Sequence, residues 1–448
     1  MEAKDAIWIY VLLFAACAVL IYGRPFVARS KAVYAALPAS FLSFQRRFLY
    51  MHFLASGVEQ LQLLFVEVVY VKFGAERKKL PTLLTIGFSS SFLFGTFLGL
   101  STDFIGRKRT SIFCLLLHVL VAVFKQVKSY QMLYYATFIL GPALSVLPCA
   151  FEAWMVAEHE KCGFTQDWLN DTFWVMSFGS AVVAIATGAL ANVLVEIWGF
   201  GITSPALVTA VVAGLCALLM AQSWKDTASC TQTTWIKTTS LLMNSLHDKK
   251  VLLLGWIHAC LDFTIWTFWI LWMPTLVADG REVNGGLTFS LLMASRMLGS
   301  TLTSYCLCGP FLTRIETYLP VVLIVSSICM AIPAYDYQEV GDLVAVFCLF
   351  QICMGIALPS LAHLRNIYIQ ADRRAGVMTI YRVPANIALI IIIVYGAKYR
   401  YLENSMIFTL CTCSLLSAAA GLYMLDQWRI KVPVDIVATF CSWICVEN

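Results

Sequence analysis

Long apolar segments, separated by short polar connections, occupy most of this chain. A helix needs roughly 17 to 25 mostly apolar residues to cross a bilayer. Thirteen segments meet that length, one at about residues 6–23 and twelve core helices between residues 48 and 425. Only 13% of the residues are charged, whereas soluble domains have about a quarter. The sequence therefore predicts an all-α, polytopic membrane protein.

A polar stretch in the middle of the chain separates the core helices into two groups of six. The first apolar segment could be a secretory signal peptide, but Glu2 and Asp5 beside Lys4 remove the positive charge that leads such peptides. We therefore expect a retained extra helix. The predicted organisation is an N-terminal transmembrane helix with a basic cytoplasmic connection at 1–47, six-helix halves at 48–223 and 249–425, a cytoplasmic linker at 224–248 and a tail at 426–448.

The run GLSTDFIGRKRT, which begins at Gly99, connects core helices 2 and 3. Gly99 and Gly106 allow helix ends to approach closely, and Asp103 can bond to the N-terminal end of a neighbouring helix. Arg107 and Lys108 favour the cytoplasmic side. The run resembles the signature loop of the major facilitator superfamily. That resemblance implies two six-helix halves that rock around a central site, with these five residues in a gating loop.

The distribution of lysine and arginine supports this orientation. With the signature loop in the cytoplasm, most basic residues of the connections fall on the same side, including Arg365, Arg373 and Arg374. The basic residues at 77–79 run against the trend. We therefore expect the N-terminal end of the first core helix to face the cytoplasm.

Ionisable residues inside the apolar segments are the main candidates for function. Placing one there costs roughly 2.5 to 3.5 kcal/mol on insertion scales, so each needs a partner or a task. They could also be ion pairs that lock helices together without touching a substrate. The polar and charged candidates are Glu59 and Gln62 in core helix 1, Glu152 in helix 4, Asp262 in helix 7, Arg296 and Ser300 in helix 8, and Arg382 and Asn386 in helix 11.

Three further motifs resemble a narrower branch, the molybdate-anion transporters. These are FEAW at 151–154, LWMP at 271–274 and YRVP at 381–384. The resemblance covers most of the chain and implies uptake of molybdate. The first core helix departs from the branch, because it reads EQLQ at 59–62 where D-W-L-Q is usual. Thr137 stands where the superfamily often has an arginine.

The candidate residues suggest how an oxyanion could be bound. Arginine offers a planar fork of donors that suits tetrahedral oxyanions. We expect substrate binding by Arg382, Arg296, Gln62, Asn386 and Ser300. Three acids oppose an anion unless they pair with the arginines or bind protons, and burial favours the neutral form of a carboxyl group. The hypothesis is secondary transport by alternating access, coupled to protons or compensated in charge through Glu59, Asp262 and Glu152.

The remaining patterns argue against an enzyme. The chain has no phosphate-cradling loop, metal-spaced cluster or nucleophile motif, so we expect no cofactor and no metal. Basic clusters typical of nucleic-acid binding are also missing. We expect a monomeric, multi-pass protein of the cell membrane, with the lipid bilayer and a small inorganic oxyanion as its partners. The alternatives are a carrier of an organic cation or neutral solute and a non-transporting nutrient receptor with the same fold.

Overall fold

The structure is a computed structural model in which nearly all regular elements are α-helices in the described part of the chain. Most of the predicted extra N-terminal helix, linker and tail lies outside the described residues. The structure describes residues 11–12, 15–16, 18–20, 38–63, 79–127, 129–224, 247–278, 283, 285–308, 314–335, 339–398 and 403–428.

Twelve long helices follow one another between residues 39 and 428 in this part. Nine helices in the described residues are long and apolar enough to cross a membrane. The twelve are α1 (Ala39–Leu63), α2 (Leu80–Ile105), α3 (Arg107–Phe124), α4 (Tyr130–Lys161), α5 (Gln166–Asn192), α6 (Ser204–Ser223), α7 (Lys249–Leu276), α8 (Gly285–Cys308), α9 (Ile315–Ala331), α10 (Val340–Tyr368), α11 (Ala371–Gly396) and α12 (Asn404–Trp428).

The first core helix begins earlier than the sequence indicated, at Ala39 rather than at residue 48. Its first turns bury Phe41 and Phe48. The ring centroid of Phe41 lies 5.3 Å from that of Phe164 and 4.9 Å from that of Trp168. Aromatic residues at this end therefore give the helix a buried face before its apolar segment begins.

Each group of six helices has its own apolar core. Phe48 and Phe151 belong to the core of the first half. In the core of the second half, the ring centroid of Phe268 lies 5.1 Å from that of Phe347 and 5.0 Å from that of Phe350. The halves meet mainly where α2 packs against α11 and α5 packs against α8. The functional side chains lie along this interface.

Helix α11 is broken in its middle. It divides into α11a (Arg374–Tyr381) and α11b (Val383–Ile393), with Arg382 between them. Pro384 has no N–H to donate and cannot continue the α-helical hydrogen-bond ladder, so the break follows from the sequence. The break places Arg382 at a turn within the interface.

Candidate functional site

A cavity lies between the halves and is lined by α1, α2, α4, α7 and α11. Its empty volume is about 720 Å³, including space open to the surroundings. Leu63 at the end of α1 and Leu84 near the start of α2 are part of its wall, on the side away from the signature loop. We call the end with the signature loop the cytoplasmic end, after the orientation expected from the sequence, and the end with the cavity the outer half of the interface. Its polar lining residues are Ser91, Thr137, Ser145, Asp262, Arg382 and Asn386.

Arg382 is the cation of this cavity. Its Nε lies 3.4 Å from Oδ2 of Asp262, but the two atoms form no hydrogen bond with each other. Its Nη1 donates to the carbonyl oxygens of Ser145 at 2.8 Å and Leu144 at 3.3 Å. The side chain is 19% exposed. The guanidinium is thus anchored on one side and still accessible from the cavity.

A proline explains why α4 can anchor this arginine. Pro148 lies inside α4, and it has no N–H to donate to the carbonyl of Leu144 four residues earlier. That carbonyl oxygen is therefore left for another donor, and Nη1 of Arg382 fills the role. The proline in the first half positions the arginine of the second.

Glu59 on α1 interacts with the same arginine, although it is not among the residues that line the cavity. Its Oε1 is buried and has no hydrogen-bond partner among the described residues, and the carboxyl group interacts electrostatically with Arg382. Nδ1 of His258 lies 3.7 Å from Oδ1 of Asp262. The structure therefore brings Glu59, Asp262 and Arg382 together from α1, α7 and α11.

Asn386 lines the cavity one turn beyond Arg382. Its Nδ2 donates to Oγ of Ser91 at 3.2 Å, across the two halves. The side chain of Phe88, also on α2, meets Trp266 of α7 edge to face, with ring centroids 5.8 Å apart. Polar and aromatic contacts between the halves thus coexist on the cavity wall.

Gln62 and Ser300, which the sequence analysis expected to bind substrate, lie outside the cavity lining. Gln62 donates to the carbonyl of His118 at 3.0 Å and accepts from Nζ of Lys125 at 2.7 Å, inside the first half. Oγ of Ser300 donates to the carbonyl of Met297 in its own helix. Both side chains are completely buried. The amide of Gln62 is bonded by His118 of α3 and by Lys125, both in its own half. The hydroxyl of Ser300 is bonded to the backbone of its own helix, α8.

Arg296 on α8 also lies outside the cavity lining. Its Nε is buried without a hydrogen-bond partner in the described part of the chain. Its backbone carbonyl lies against Gly355 of α10. Of the five expected substrate ligands, the structure brings Arg382 and Asn386 to the cavity and leaves the other three elsewhere.

Glu152 belongs to the cytoplasmic end of the interface. Its Oε2 accepts from Nη2 of Arg365 at 2.6 Å, and its Oε1 accepts from Nη2 of Arg374 at 2.7 Å. Both arginines are buried and come from the other half. Sequence reasoning assigned them to cytoplasmic connections; the useful signal was that Arg365 directly continues the apolar segment of its helix.

The signature loop closes the same end. Oδ2 of Asp103 accepts from the backbone N–H of Gly376 at 2.8 Å, at the start of α11a, as the motif predicted. Oδ1 of Asp103 accepts from Nη2 of Arg107 at 3.2 Å, and the same nitrogen donates to the carbonyl of Ala371 at 2.5 Å. The loop therefore joins the first half to the N-terminal end of α11.

Two other loop residues hold this arrangement in place. Gly106 has a φ of 112°, a backbone conformation that favours glycine. Nζ of Lys108 donates to the carbonyls of Ala221 at 2.8 Å and Trp224 at 2.6 Å. The lysine thereby caps the C-terminal end of α6 and fixes the loop to its own half.

A pair of side-chain contacts adds to the cytoplasmic closure. Oδ1 of Asn170 pairs with Nδ1 of His363, and Nδ2 of Asn366 donates to Oε1 of Gln166. Both contacts join α5 to α10. Together with the glutamate–arginine and aspartate contacts, they close the cytoplasmic end while the cavity occupies the outer half.

Comparison with protein families and characterised proteins gives a consistent result. The family described as sugar transporters with 12 transmembrane segments matches residues 9–353. A molybdate-anion transporter of Xenopus laevis is 28% identical over 423 residues, which cover 92% of this chain and 90% of that protein. A molybdate-anion transporter of Danio rerio is 24% identical over 377 residues, 78% of each chain.

Solved structures share the fold at low sequence identity. The human organic anion transporter MFSD10 (TETRAN) aligns with a TM-score of 0.65 at 13% identity, covering 86% of this chain and 100% of that one. The major facilitator superfamily transporter FucP, in its outward conformation, aligns with a TM-score of 0.66 at 13% identity and covers 88% and 100%. These similarities support the fold.

Proposed function

Since this chain belongs to the family of twelve-helix transporters in the major facilitator superfamily, we propose that it carries molybdate or a related tetrahedral oxyanion by alternating access. It is a secondary transporter and a multi-pass membrane protein. The proposal places it in the cell membrane, as a monomer that takes the anion from outside. Relatives named molybdate-anion transporters, similar along most of the chain, support this substrate class.

The proposal rests on the hydrogen bonding of the Arg382 guanidinium. Among the described residues, its guanidinium is hydrogen-bonded only through Nη1, while its ion pair with Asp262 lacks hydrogen-bond geometry. Charge-assisted bonds from a guanidinium fork to an oxyanion are among the stronger polar contacts in proteins. An entering oxyanion can therefore replace Asp262 at a cation that is already anchored.

Neutral groups around the arginine supply further contacts. Ser91 and Asn386 lie on the cavity wall and offer hydroxyl and amide donors. Such donors can orient an oxyanion without adding charge. We propose Arg382 as the principal ligand of the anion and Asn386 as an orienting one.

The cytoplasmic contacts define what must change during transport. In the proposed cycle, the occupied cavity closes on the outside, and the bonds of Glu152 to Arg365 and Arg374 then separate. The halves rock about the α2–α11 and α5–α8 contacts, and the anion leaves on the cytoplasmic side. Each half keeps its own apolar core throughout, which allows it to move as a body.

The test is uptake of radiolabelled molybdate into proteoliposomes, with tungstate and sulfate as competitors. Wild-type uptake should be saturable. Arg382→Ala should lower it by roughly 10- to 100-fold, the range expected for losing bonds from a charged donor, and Arg382→Lys should restore part of it. Arg46→Ala, which removes an exposed arginine from α1, is the matched control.

The same assay separates the alternatives. Uptake of an organic cation in place of molybdate would contradict the proposal and favour a cation carrier, in keeping with the two acids beside one arginine. Saturable molybdate binding without flux would favour a receptor. Unchanged uptake by a folded Arg382→Ala protein would show that the anion binds elsewhere.

A further inference from the structure

The charged groups around the cavity form a small set. In the described residues, Arg382 interacts electrostatically with Asp262 and Glu59. The groups that face these acids from the surrounding helices are thiols, a histidine and a glutamate that is itself paired with arginine. They are Cys114 on α3, Cys149 on α4, His258 on α7 and, deeper, Glu152 with Arg365.

The ion pair must open before an anion can occupy the arginine. Asp262 lies 3.4 Å from Nε of Arg382, in the position from which an oxyanion would accept. An ionised Asp262 displaced by a dianion would then face two negative charges at close range. A proton on Asp262 removes that repulsion and leaves the guanidinium to the anion.

Binding of the anion to Arg382 also affects Glu59 on α1. Its Oε1 is buried and unbonded in the part of the chain that the structure describes, and Arg382 is the cation with which it interacts electrostatically. Once the dianion takes over that cation, an ionised Glu59 would lose its compensation. A second proton, taken up by Glu59, neutralises that carboxylate.

We propose that Glu59 and Asp262 each take up one proton from outside when the dianion binds, so that two protons accompany each anion and transport is electroneutral. The empty site has one positive and two negative charges, a net of one negative charge. The loaded site has two neutral carboxyl groups, the same arginine and a dianion, again a net of one negative charge. Both protons leave with the anion on the cytoplasmic side. This inference rests on the proposed oxyanion transport.

The experiment measures proton and molybdate fluxes together in proteoliposomes, with a pH-sensitive dye inside and the membrane potential set by potassium and valinomycin. Wild type should move two protons per molybdate, and its accumulation should not respond to the potential. Glu59→Gln should move one proton per molybdate. A potential of 100 mV, negative inside, should then lower its steady-state accumulation about 50-fold.

Glu403→Gln is the matched control, because it removes an exposed acid before α12; it should behave like wild type. The wild-type flux ratio tests the proposal even if Glu59→Gln does not fold. One proton or none per molybdate, or potential-dependent wild-type accumulation, would overturn the stoichiometry while leaving oxyanion transport intact. A wild-type protein that moves no molybdate would contradict the proposed function itself.

Discussion

Both ends of the interface between the halves pair carboxylates with arginines, but the pairs differ in how completely they are hydrogen-bonded. At the cytoplasmic end, both oxygens of Glu152 accept hydrogen bonds from two buried arginines, and Asp103 accepts from the N-terminal end of α11a. At the cavity, Arg382 and Asp262 form an ion pair without a hydrogen bond. The carboxylate at one end is bonded by the protein's own arginines, whereas at the other end the carboxylate and the arginine share no hydrogen bond.

This difference indicates how one chain can be both closed and receptive. Removing one partner from a buried, hydrogen-bonded charge cluster is costly, so in the proposed cycle the cytoplasmic end stays shut while the cavity is empty. An incomplete pair is cheaper to exchange, so the cavity can accept an anion without first opening the other end. Substitutions at the two ends should therefore have different consequences.

The largest effect is expected from Glu152→Ala. It leaves Arg365 and Arg374 buried without their carboxylate, which should destabilise the closed cytoplasmic end by roughly 3 to 5 kcal/mol. Thermal unfolding of the purified protein should begin at a lower temperature. Glu403→Ala, which removes an exposed acid before α12, should change little. Equal unfolding temperatures for the two variants would contradict the difference between the ends.

A smaller effect should follow from separating α2 from α11a, where they meet beside the signature loop. A Cβ added at Gly99 would lie 2.1 Å from Oγ1 of Thr379, so Gly99→Ala should cost about 1 to 3 kcal/mol through overpacking. Thr379→Gly in the same chain should recover most of it. A double-mutant cycle by thermal unfolding measures this coupling, and strict additivity would show that the close approach is unimportant.

Asp103→Asn should weaken the same end by about 1 kcal/mol. Asparagine can still accept from the N–H of Gly376, but it loses the charge that strengthens this bond and the pairing with Arg107. Cytoplasmic labelling of a cysteine introduced at Ala375 should rise with Asp103→Asn. No change in labelling would mean that the neutral bond suffices for closure.

The smallest effect is expected from Asn170→Ala. Its contact with His363 is only partly buried, so we expect a cost of about 0.5 kcal/mol and molybdate uptake within about twofold of wild type. Uptake abolished by this change would show that the contact between α5 and α10 contributes more to closure than the glutamate cluster.

Sequence reasoning identified features that are local in the chain. Apolar segments predicted the helices, and the signature motif predicted the bond of Asp103 because the glycines and the acid lie within one loop. Arg382 was found because a charged residue inside an apolar segment is conspicuous. These signals need no knowledge of which helices become neighbours.

The sequence did not predict features that depend on packing between distant parts of the chain. Glu152 and Arg365 are 213 residues apart in the chain, so their pairing has no local signature. Gln62 lies on a polar stripe of α1 with Glu59, yet Lys125 of the same half binds it. A helical pattern shows which side chains share a face, but neighbouring helices decide which of them reaches the cavity.

Access to the cavity tests the central claim most directly. Thr137→Cys places a thiol on the cavity wall, and Cys162 is exposed just beyond the cytoplasmic end of α4. In oriented vesicles, a membrane-impermeant thiol reagent applied outside should label Thr137→Cys above the wild-type background, and molybdate should protect it. Applied from the cytoplasm, the reagent should label Thr137→Cys no more than wild type, in which Cys162 remains available. Labelling of Thr137→Cys from the cytoplasmic side alone, without protection by molybdate, would contradict an outward-open anion site.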